Sequence, residues 1–233
     1  MEEQSVAQYF AELSRRLLEV EGVQETMRVL VGAAVEAVSG CDHASISHLQ
    51  GKSLVSAASS DRIGEILDGI QTGADEGPCL DAIKTNEVTL TDDLEHDPRW
   101  PQYGPRAVES TAIRSSLAYP LHDGRRTLGA LNLFSERIDG FSREPDDEGV
   151  AAILAAHATA ALAAALHREN METALQNRDL IGQAKGMLMV RSGVDEEEAF
   201  EILRRASQRT NVKITELARR LVRGEIDTDE PPR

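Results

Sequence analysis

A short segment in the last quarter of the chain brings an amide, a cation and two glycines close together. Gly182, Gln183, Lys185 and Gly186 are interspersed with apolar residues at helical spacing. A glycine inside a helix costs about 1 kcal/mol relative to alanine, so two of them in one helix need a reason. Close approach of a nucleic-acid backbone beside Lys185 is one reason. Close packing of a second helix, with no ligand at all, is the other.

The glycines and the lysine can share one face of this helix. Gly182 with Gly186, and Lys185 with Met189, are i, i+4 pairs, which lie on the same side of a helix. Arg191 lies six residues after Lys185, beyond the neighbouring turn. We therefore expect a contact face centred on Lys185 and Gly186.

Charge separates this region from the rest of the chain. Residues 175–224 include ten basic and seven acidic residues, a net charge of +3, whereas residues 1–174 have a net charge of −15 and residues 225–233 one of −3. Because a mostly acidic molecule repels phosphates at long range, a single basic module predicts site-specific rather than general nucleic-acid binding. The basic side chains available for a patch are Arg204, Arg205, Arg209, Lys213, Arg219, Arg220 and Arg223. They could equally be solvated charges that pair with glutamates of the same segment.

Apolar residues at helical spacing predict three helices that share one small core around these side chains. The first helix ends at Gly193, and the second begins near Asp195, which with Glu198 has the spacing of a capping box. The three stripes are Ile181, Ala184, Met187 and Leu188, then Ala199, Ile202, Leu203 and Ala206, then Ile214, Leu217, Ala218, Leu221 and Val222.

Together these segments resemble the ANTAR domain, a small all-helical RNA-binding module of bacterial regulators. The resemblance is carried by residues 183–186 (Gln-Ala-Lys-Gly), by Met187 and Met189, and by the helices at 195–206 and 211–222. It implies a protein that binds a structured RNA leader and acts by transcription antitermination. The predicted RNA-binding residues are Gln183, Lys185, Gly186, Met189, Arg191, Arg205, Arg209, Asn211 and Lys213. Phe200, the one aromatic side chain of the module, could be a core residue or a platform on which a base stacks, and it is expected in the core.

Upstream, alternating segments predict β-hairpins. Residues 44–49 and 53–58 flank a Gln-Gly-Lys turn, and residues 115–121 and 126–134 flank a His-Asp-Gly turn. Two amphipathic segments, at about 5–20 and 23–38, precede the first strand.

The motifs at 76–82 (Glu-Gly-Pro-Cys-Leu-Asp-Ala), 97–101 (Asp-Pro-Arg-Trp-Pro), 114–121 and 127–134 resemble a GAF domain of the kind fused to ANTAR in actinobacterial proteins, over roughly residues 5–165. The resemblance implies a sensory module with a central antiparallel sheet, helices on one face and often a small-molecule pocket on the other. Cys79, Trp100 and Arg114 are the candidate pocket residues, although Trp100 could instead cap the sheet core. No cofactor is indicated, and the signal, a small molecule or a protein, is not identified.

Two thiols, Cys41 and Cys79, in a chain without a secretory signal indicate a reducing, cytoplasmic location and no structural disulfide. Their spacing to histidines matches no metal site. No catalytic residue is predicted, but some GAF enzymes reduce free methionine sulfoxide with pocket cysteines, and Cys79 leaves that enzymatic alternative open.

The alanine-rich stretch at 150–166 predicts a packed helix rather than a membrane span, and no membrane partner is expected. Nothing between 147 and 191 breaks a helix, so one long connector is expected to run into the ANTAR region. Its small-residue face permits close packing against the N-terminal helices and across a two-fold dimer. That face comprises Ala151, Leu154, Ala155, Ala158, Ala161, Leu162, Ala165 and Leu166.

The sequence thus predicts an α+β chain with a GAF-like antiparallel sheet and flanking helices, a long connector helix and a small three-helix ANTAR domain. The expected boundaries are 1–165 for the sensor, 166–224 for the ANTAR domain and 225–233 for an acidic disordered tail. The predicted function is that of a non-enzymatic, homodimeric regulator that binds tandem stem-loops in nascent RNA. The alternatives are a DNA-binding regulator, because residues 211–222 follow a turn like a recognition helix, a redox enzyme, and a protein-interaction module that has lost RNA binding.

Overall fold

The computed structural model describes residues 3–143 and 147–226 of the chain. Contacts divide it into two compact units, Met1–His167 and Arg168–Arg233. The disorder predicted for the acidic tail falls, from residue 227 onward, outside the described residues. The two units have separate hydrophobic cores.

Two amphipathic helices open the first unit, as the sequence predicts. Helix α1 spans Glu3–Glu19 and helix α2 spans Val23–Ala37. Gly22 between them has φ of 82°, a left-handed conformation that glycine adopts without strain. Leu13 and Leu30 are almost fully buried, so each helix turns its apolar stripe toward one shared core.

A five-stranded antiparallel sheet lies beneath these helices in the described residues, with strand order β2-β1-β5-β4-β3. The strands are β1 His43–Gln50, β2 Ser53–Ser59, β3 Thr89–Thr91, β4 Ser115–His122 and β5 Thr127–Ser135. Both predicted hairpins, β1–β2 and β4–β5, are confirmed. Successive side chains of a strand point to opposite faces. Thus Ala44 and Ile46 join the core under α1 and α2, and Ser45 and Ser47 point away from it.

Short helices cover the second face of the sheet, which the GAF resemblance alone left open for a pocket. They are α3 Ile63–Ala74, α4 Pro78–Thr85 and α5 Tyr103–Thr111. Within the motif at 76–82, Gly77 caps α4 and Pro78 opens it. Proline at the first helical position lacks only an N–H that would have had no helical partner.

Helix α6 spans Asp147–Ser192, which confirms the predicted continuous connector. The carbonyl of Glu148 accepts a hydrogen bond of 3.1 Å from the Tyr119 hydroxyl, which ties the start of α6 to β4. The predicted small-residue face packs into the first unit, where Ala151, Leu154 and Leu162 are buried with residues of α1 and α2.

The apolar part of α6 is more hydrophobic than the sequence analysis indicated. Within Glu148–Ser192 an 18-residue window has a mean hydropathy of 1.9, enough by length and composition to cross a membrane. Its buried face nonetheless belongs to the core of the first unit. The packing therefore resembles that of the core helix of a globular domain.

In the second unit, the end of α6 forms one small core with α7 (Glu196–Thr210) and α8 (Ile214–Val222). The core confirms the three predicted stripes, with Ala184 and Leu188, Ala199 and Leu203, and Leu217, Ala218 and Leu221 buried. Gly193 has φ of 68° just beyond α6. The carboxylate of Asp195 accepts a 2.8 Å bond from the N–H of Glu198, which confirms the predicted helix start.

Candidate nucleic-acid interface and sensor site

A groove of about 860 Å³ in the second unit contains part of the predicted contact face, with Lys185 but without Gly186. Gly182, Gln183 and Lys185 of α6 line it from one side, and Glu196 and Phe200 of α7 line it from the other. A smaller adjoining groove of about 600 Å³ shares Lys185, Glu196 and Phe200. The structure thus places the predicted amide, cation and first glycine in one concave surface.

Lys185 is held at the edge of this groove by an ion pair. Its ammonium contacts the carboxylate of Glu196, and this hydrogen bond lowers the pKa of Glu196 below its usual value. The Lys185 side chain is 20% exposed, against 73% for Glu196. Since the partner is a solvent-facing carboxylate, a phosphate can replace it without leaving a buried charge unpaired.

The two helical glycines face open space. Within residues 3–143 and 147–226, a Cβ added at Gly182 or Gly186 would meet no atom within 4 Å. The helical glycines Gly32, Gly69, Gly73 and Gly149 face open space in the same way, whereas a Cβ at Gly104 would stand 2.0 Å from the carbonyl oxygen of Leu94. Intramolecular helix packing therefore does not explain Gly182 and Gly186, and the alternative raised by the sequence loses its support within this chain.

The other predicted residues of α6 lie next to this face. Met189 is 37% exposed and Arg191 is exposed at the helix end. The N–H of Gly193 bonds the carbonyl of Met189 at 3.0 Å, closing the helix. Neither residue lines the grooves around Lys185.

A second group of predicted residues surrounds the turn between α7 and α8. Arg205, Arg209, Asn211 and Lys213 are all exposed. Asn211 ends α7 with φ of 54°, a left-handed conformation in which asparagine is common. An asparagine at this position therefore also has a structural role. The hydroxyl of Ser207 donates a 2.6 Å bond to the carbonyl of Val212, which fixes this turn.

Ion pairing divides the predicted basic patch. Arg204 pairs with Glu201 at 2.7 Å, Arg219 and Arg220 pair with Glu216, and Arg223 approaches Glu225. Across the part of the chain that the structure describes, no carboxylate lies within pairing distance of Arg205, Arg209 or Lys213. The solvated-charge interpretation therefore holds for the first set, and the second set keeps its charge available.

The two groups of predicted contacts are far apart on the module. Lys185 contacts the first residue of α7, Glu196, whereas Arg209 and Asn211 stand at the other end of that helix. At 1.5 Å per residue, the 15 residues of α7 separate them by roughly 20 Å. One ligand must be extended to touch both.

In the first unit, the three predicted pocket residues have different surroundings. Trp100 is 1% exposed in a cluster with Tyr103 and Phe134, and its indole N–H donates a 2.8 Å bond to Asp81. The core interpretation of Trp100 is thus the one that the packing supports. Cys79 is buried in a separate cluster, and Arg114 pairs with Glu95 at 3.1 Å.

A polar cluster lies between the sheet and helices α3 and α5, beside Cys79, whose N–H donates a 3.0 Å bond to Gln71 Oε1. The Ser47 hydroxyl donates a 2.6 Å bond to the carboxylate of Asp68, and the Asn132 amide donates to Ser47 at 3.1 Å. Asp68 is 2% exposed. Burial raises its pKa to about 6, although the bond from Ser47 acts in the opposite direction. The nearby Asp68 carboxylate adds to the effect of burial on the pKa of Tyr103, which is well above its usual value.

Several buried polar atoms of this cluster have no hydrogen-bond partner among the described residues. They are Asp68 Oδ1, Gln71 Nε2, Tyr103 Oη and Asn132 Oδ1. Leaving such a buried atom unbonded costs about 1–3 kcal/mol. The cluster thus contains both unbonded donors and unbonded acceptors.

The comparisons with known families agree with this geometry. The model of the GAF domain matches residues 20–163, more than half of the chain, and the model of the ANTAR domain matches residues 169–222. The chain belongs to the GAF domain family and carries an ANTAR domain. ANTAR is an RNA-binding antitermination domain and GAF a sensory one, an architecture typical of a regulator rather than an enzyme. No curated protein matched the sequence.

Solved structures resemble the GAF domain at low identity. The GAF domain of a phosphoenolpyruvate-protein phosphotransferase from Coxiella burnetii is 16% identical with a TM-score of 0.55, over 73% of this chain and 99% of that one. A free methionine-R-sulfoxide reductase from Neisseria meningitidis, solved with its substrate, is 16% identical with a TM-score of 0.53, over 70% of this chain and 93% of that one. The shared property is the fold.

The cysteines of the GAF domain bear on the redox alternative. Cys41 and Cys79 are both buried, in different clusters, and no disulfide joins them. Burial and the nearby Asp68 raise the pKa of the Cys79 thiol far above its usual value. The thiolate is the nucleophile in thiol chemistry. Because its raised pKa keeps Cys79 protonated, Cys79 is a poor nucleophile.

Sequence reasoning missed the polar cluster and misplaced Phe200. Asn132 interrupts an otherwise apolar strand and Asp68 interrupts an apolar helix, which was the available signal. Phe200 was expected in the core, and that expectation is wrong: its side chain is 40% exposed and lies outside the core cluster of the ANTAR domain.

Proposed function

We propose that this protein is a transcription antitermination regulator. Its ANTAR domain binds tandem stem-loops in a nascent transcript and prevents an overlapping terminator from forming. Its GAF domain senses a small molecule or a protein and controls that binding. The protein acts in the cytoplasm as a homodimer, without a membrane.

The observation that carries the RNA-binding proposal is the open glycine face beside Lys185. Gly182 and Gly186 weaken an exposed helix without relieving any contact inside the chain. A backbone left bare next to a cation suits a ligand that approaches closely and bears negative charge. Nucleic-acid phosphate meets both conditions.

RNA rather than DNA is proposed for two reasons. The domain belongs to a family of RNA-binding antitermination domains. Moreover, Gln183 and Lys185 line a concave groove between two helices instead of one protruding helix, and a groove suits the splayed bases of an RNA loop better than the edges of a duplex.

For the sensor, the polar cluster around Asp68 supports a small hydrogen-bonding ligand, because unbonded donors and acceptors are buried there together. The enzymatic alternative is not favoured. The Cys79 thiol is held in its unreactive form by burial, and Cys41 belongs to a different cluster.

A competition gel shift tests the proposal. The labelled probe is a pool of RNA hairpins with a fixed stem and a randomised loop, and the competitors are unlabelled hairpin pool and duplex DNA. We expect retention of a subset of hairpins, competition by RNA alone and a modest dependence on salt. Equal competition by duplex DNA would support the DNA-binding alternative, and absence of any retained hairpin would overturn the proposal.

A further inference from the structure

Phe200 is an exposed aromatic ring in a domain that has no other. It is the only aromatic residue after Phe141 in the sequence. Its side chain is 40% exposed, whereas its neighbour Ala199 is fully buried in the domain core. The ring is therefore not needed to complete that core, and its exposure needs another explanation.

The ring stands in the groove that holds the predicted RNA contacts. Phe200 and Lys185 line both adjoining grooves of the domain, and Gly182 and Gln183 line the larger one. Because Gly182 has no side chain and a Cβ there would meet nothing within 4 Å, α6 leaves the groove open at this position. A flat group can thus enter beside the ring.

Charge within the groove gives an entering nucleotide a direction. Lys185 and Arg178 line the larger groove together with Asp179 and Glu196, so its charges balance, whereas the smaller groove has Lys185 against Glu196, Glu197 and Glu201. Phosphate is therefore repelled less in the larger groove than in the smaller one. An uncharged base placed against Phe200 is not repelled by the glutamates, and its phosphate can lie on the side of Lys185.

We propose that Phe200 is the stacking platform for one unpaired base of the RNA loop, with the adjacent phosphate at Lys185. This inference rests on the proposed RNA-binding function and specifies how the groove takes its ligand. Single-stranded bases stack on aromatic side chains in many RNA-binding proteins, since every base has a π face. The structure assigns that role to the one ring available.

Three substitutions in the full-length protein test the platform. Phe200→Leu keeps an apolar side chain but removes the π face, Phe200→Trp keeps the π face, and Val190→Ala is the control, an exposed apolar residue that lines neither groove. The probe is a hairpin recovered by the wild-type protein from the randomised-loop pool. Thermal melting checks that each variant folds.

We expect Phe200→Leu to weaken hairpin binding by between about 5-fold and 150-fold, the range for loss of one stacked base, and Val190→Ala to bind like wild type. Phe200→Trp should retain binding, and its indole fluorescence should be quenched by the hairpin. Trp100 is buried in the GAF domain and supplies a constant background.

The outcomes separate this inference from the function on which it rests. If wild type recovers hairpins and Phe200→Leu binds them equally well, the platform is refuted and RNA binding stands. Unquenched Phe200→Trp fluorescence in a complex that still forms also refutes it. If wild type recovers no hairpin, both the function and the platform are overturned.

Discussion

At the scale of single residues, Gly186 and Lys185 show what the sequence could and could not establish. The spacing of residues 182–189 placed both on one helix face, and the structure confirms the helix. The choice between packing and ligand approach required coordinates, because only the space beyond the backbone distinguishes them. Phe200 was wrongly expected in the core. The neighbouring stripe of apolar residues on the same helix already fills the core, and the sequence alone does not show that this leaves Phe200 outside.

We predict that Lys185→Ala weakens hairpin binding by about 1–3 kcal/mol, the range for losing a hydrogen bond to a charged group. Gly186→Leu should abolish binding by blocking approach. Its melting temperature should not fall, because the added side chain points into open space and leucine favours helix. Gel shift and calorimetry measure the two effects.

Gly149→Leu is the matched control, since Gly149 lies in the same helix, also faces open space and is in the GAF domain. If Gly186→Leu unfolds the ANTAR domain, the glycine serves packing after all. If Lys185→Ala and Gly186→Leu both fold and bind like wild type, the RNA face lies at Arg205, Arg209, Asn211 and Lys213.

At the scale of elements, the four longer strands and the helices with a clear apolar stripe could be predicted, whereas β3 and the helices α3, α4 and α5 could not. Alternation and turn residues indicated both hairpins, and unbroken helical spacing indicated α6. Helices α3, α4 and α5 have 12, 8 and 9 residues and contain glycine or proline. Isolated helices of that length are marginal in water, so these form by packing on the sheet, which local sequence does not encode. The polar cluster they cover was missed for the same reason.

Between α3 and the sheet, the Asp68 carboxylate makes stability depend on pH. Its folded pKa of about 6 lies above the value of roughly 3.9 for an unfolded aspartate. The folded state therefore binds this proton more tightly. Ionisation of Asp68 therefore destabilises the folded state. This destabilisation is absent below about pH 4 and grows as the pH rises through 6.

We predict that Asp68→Asn stabilises the GAF domain at pH 7 by up to about 3 kcal/mol and removes most of the stability change between pH 4 and 6. Asparagine can still accept the hydrogen bond of Ser47. Denaturant unfolding of both proteins at several pH values measures this. A variant less stable than wild type at pH 7 and equally pH-dependent would show that the carboxylate is not the source.

At the scale of the whole molecule, the two domain families and the helix that joins their sequences could be predicted from the sequence. The surface through which two copies would form a dimer could not. One face of α6 is used within the first unit, as Leu154 and Leu162 show. The opposite face leaves Ile153 43% exposed, beside the exposed Ala152 and Ala156. Small and apolar side chains of this kind permit close approach of a second copy.

We predict a dimer through this exposed face of α6. Sedimentation at tens of micromolar should give twice the chain mass, and Ile153→Glu with Ala156→Glu should give a folded monomer. A transcript with two stem-loops should bind the dimer roughly 10²- to 10⁴-fold more tightly than one with a single stem-loop. A wild-type monomer, with and without RNA, would exclude the dimer and leave single-site RNA binding standing.

Crosslinking the protein in its own cells, followed by sequencing of the bound nucleic acid, tests the central claim most directly. Wild type and Gly186→Leu are compared at equal abundance. We predict that wild type recovers leader transcripts in which two stem-loops overlap a terminator, and that Gly186→Leu recovers almost none of them. Enrichment of DNA, or of the same RNA by both proteins, would contradict the account.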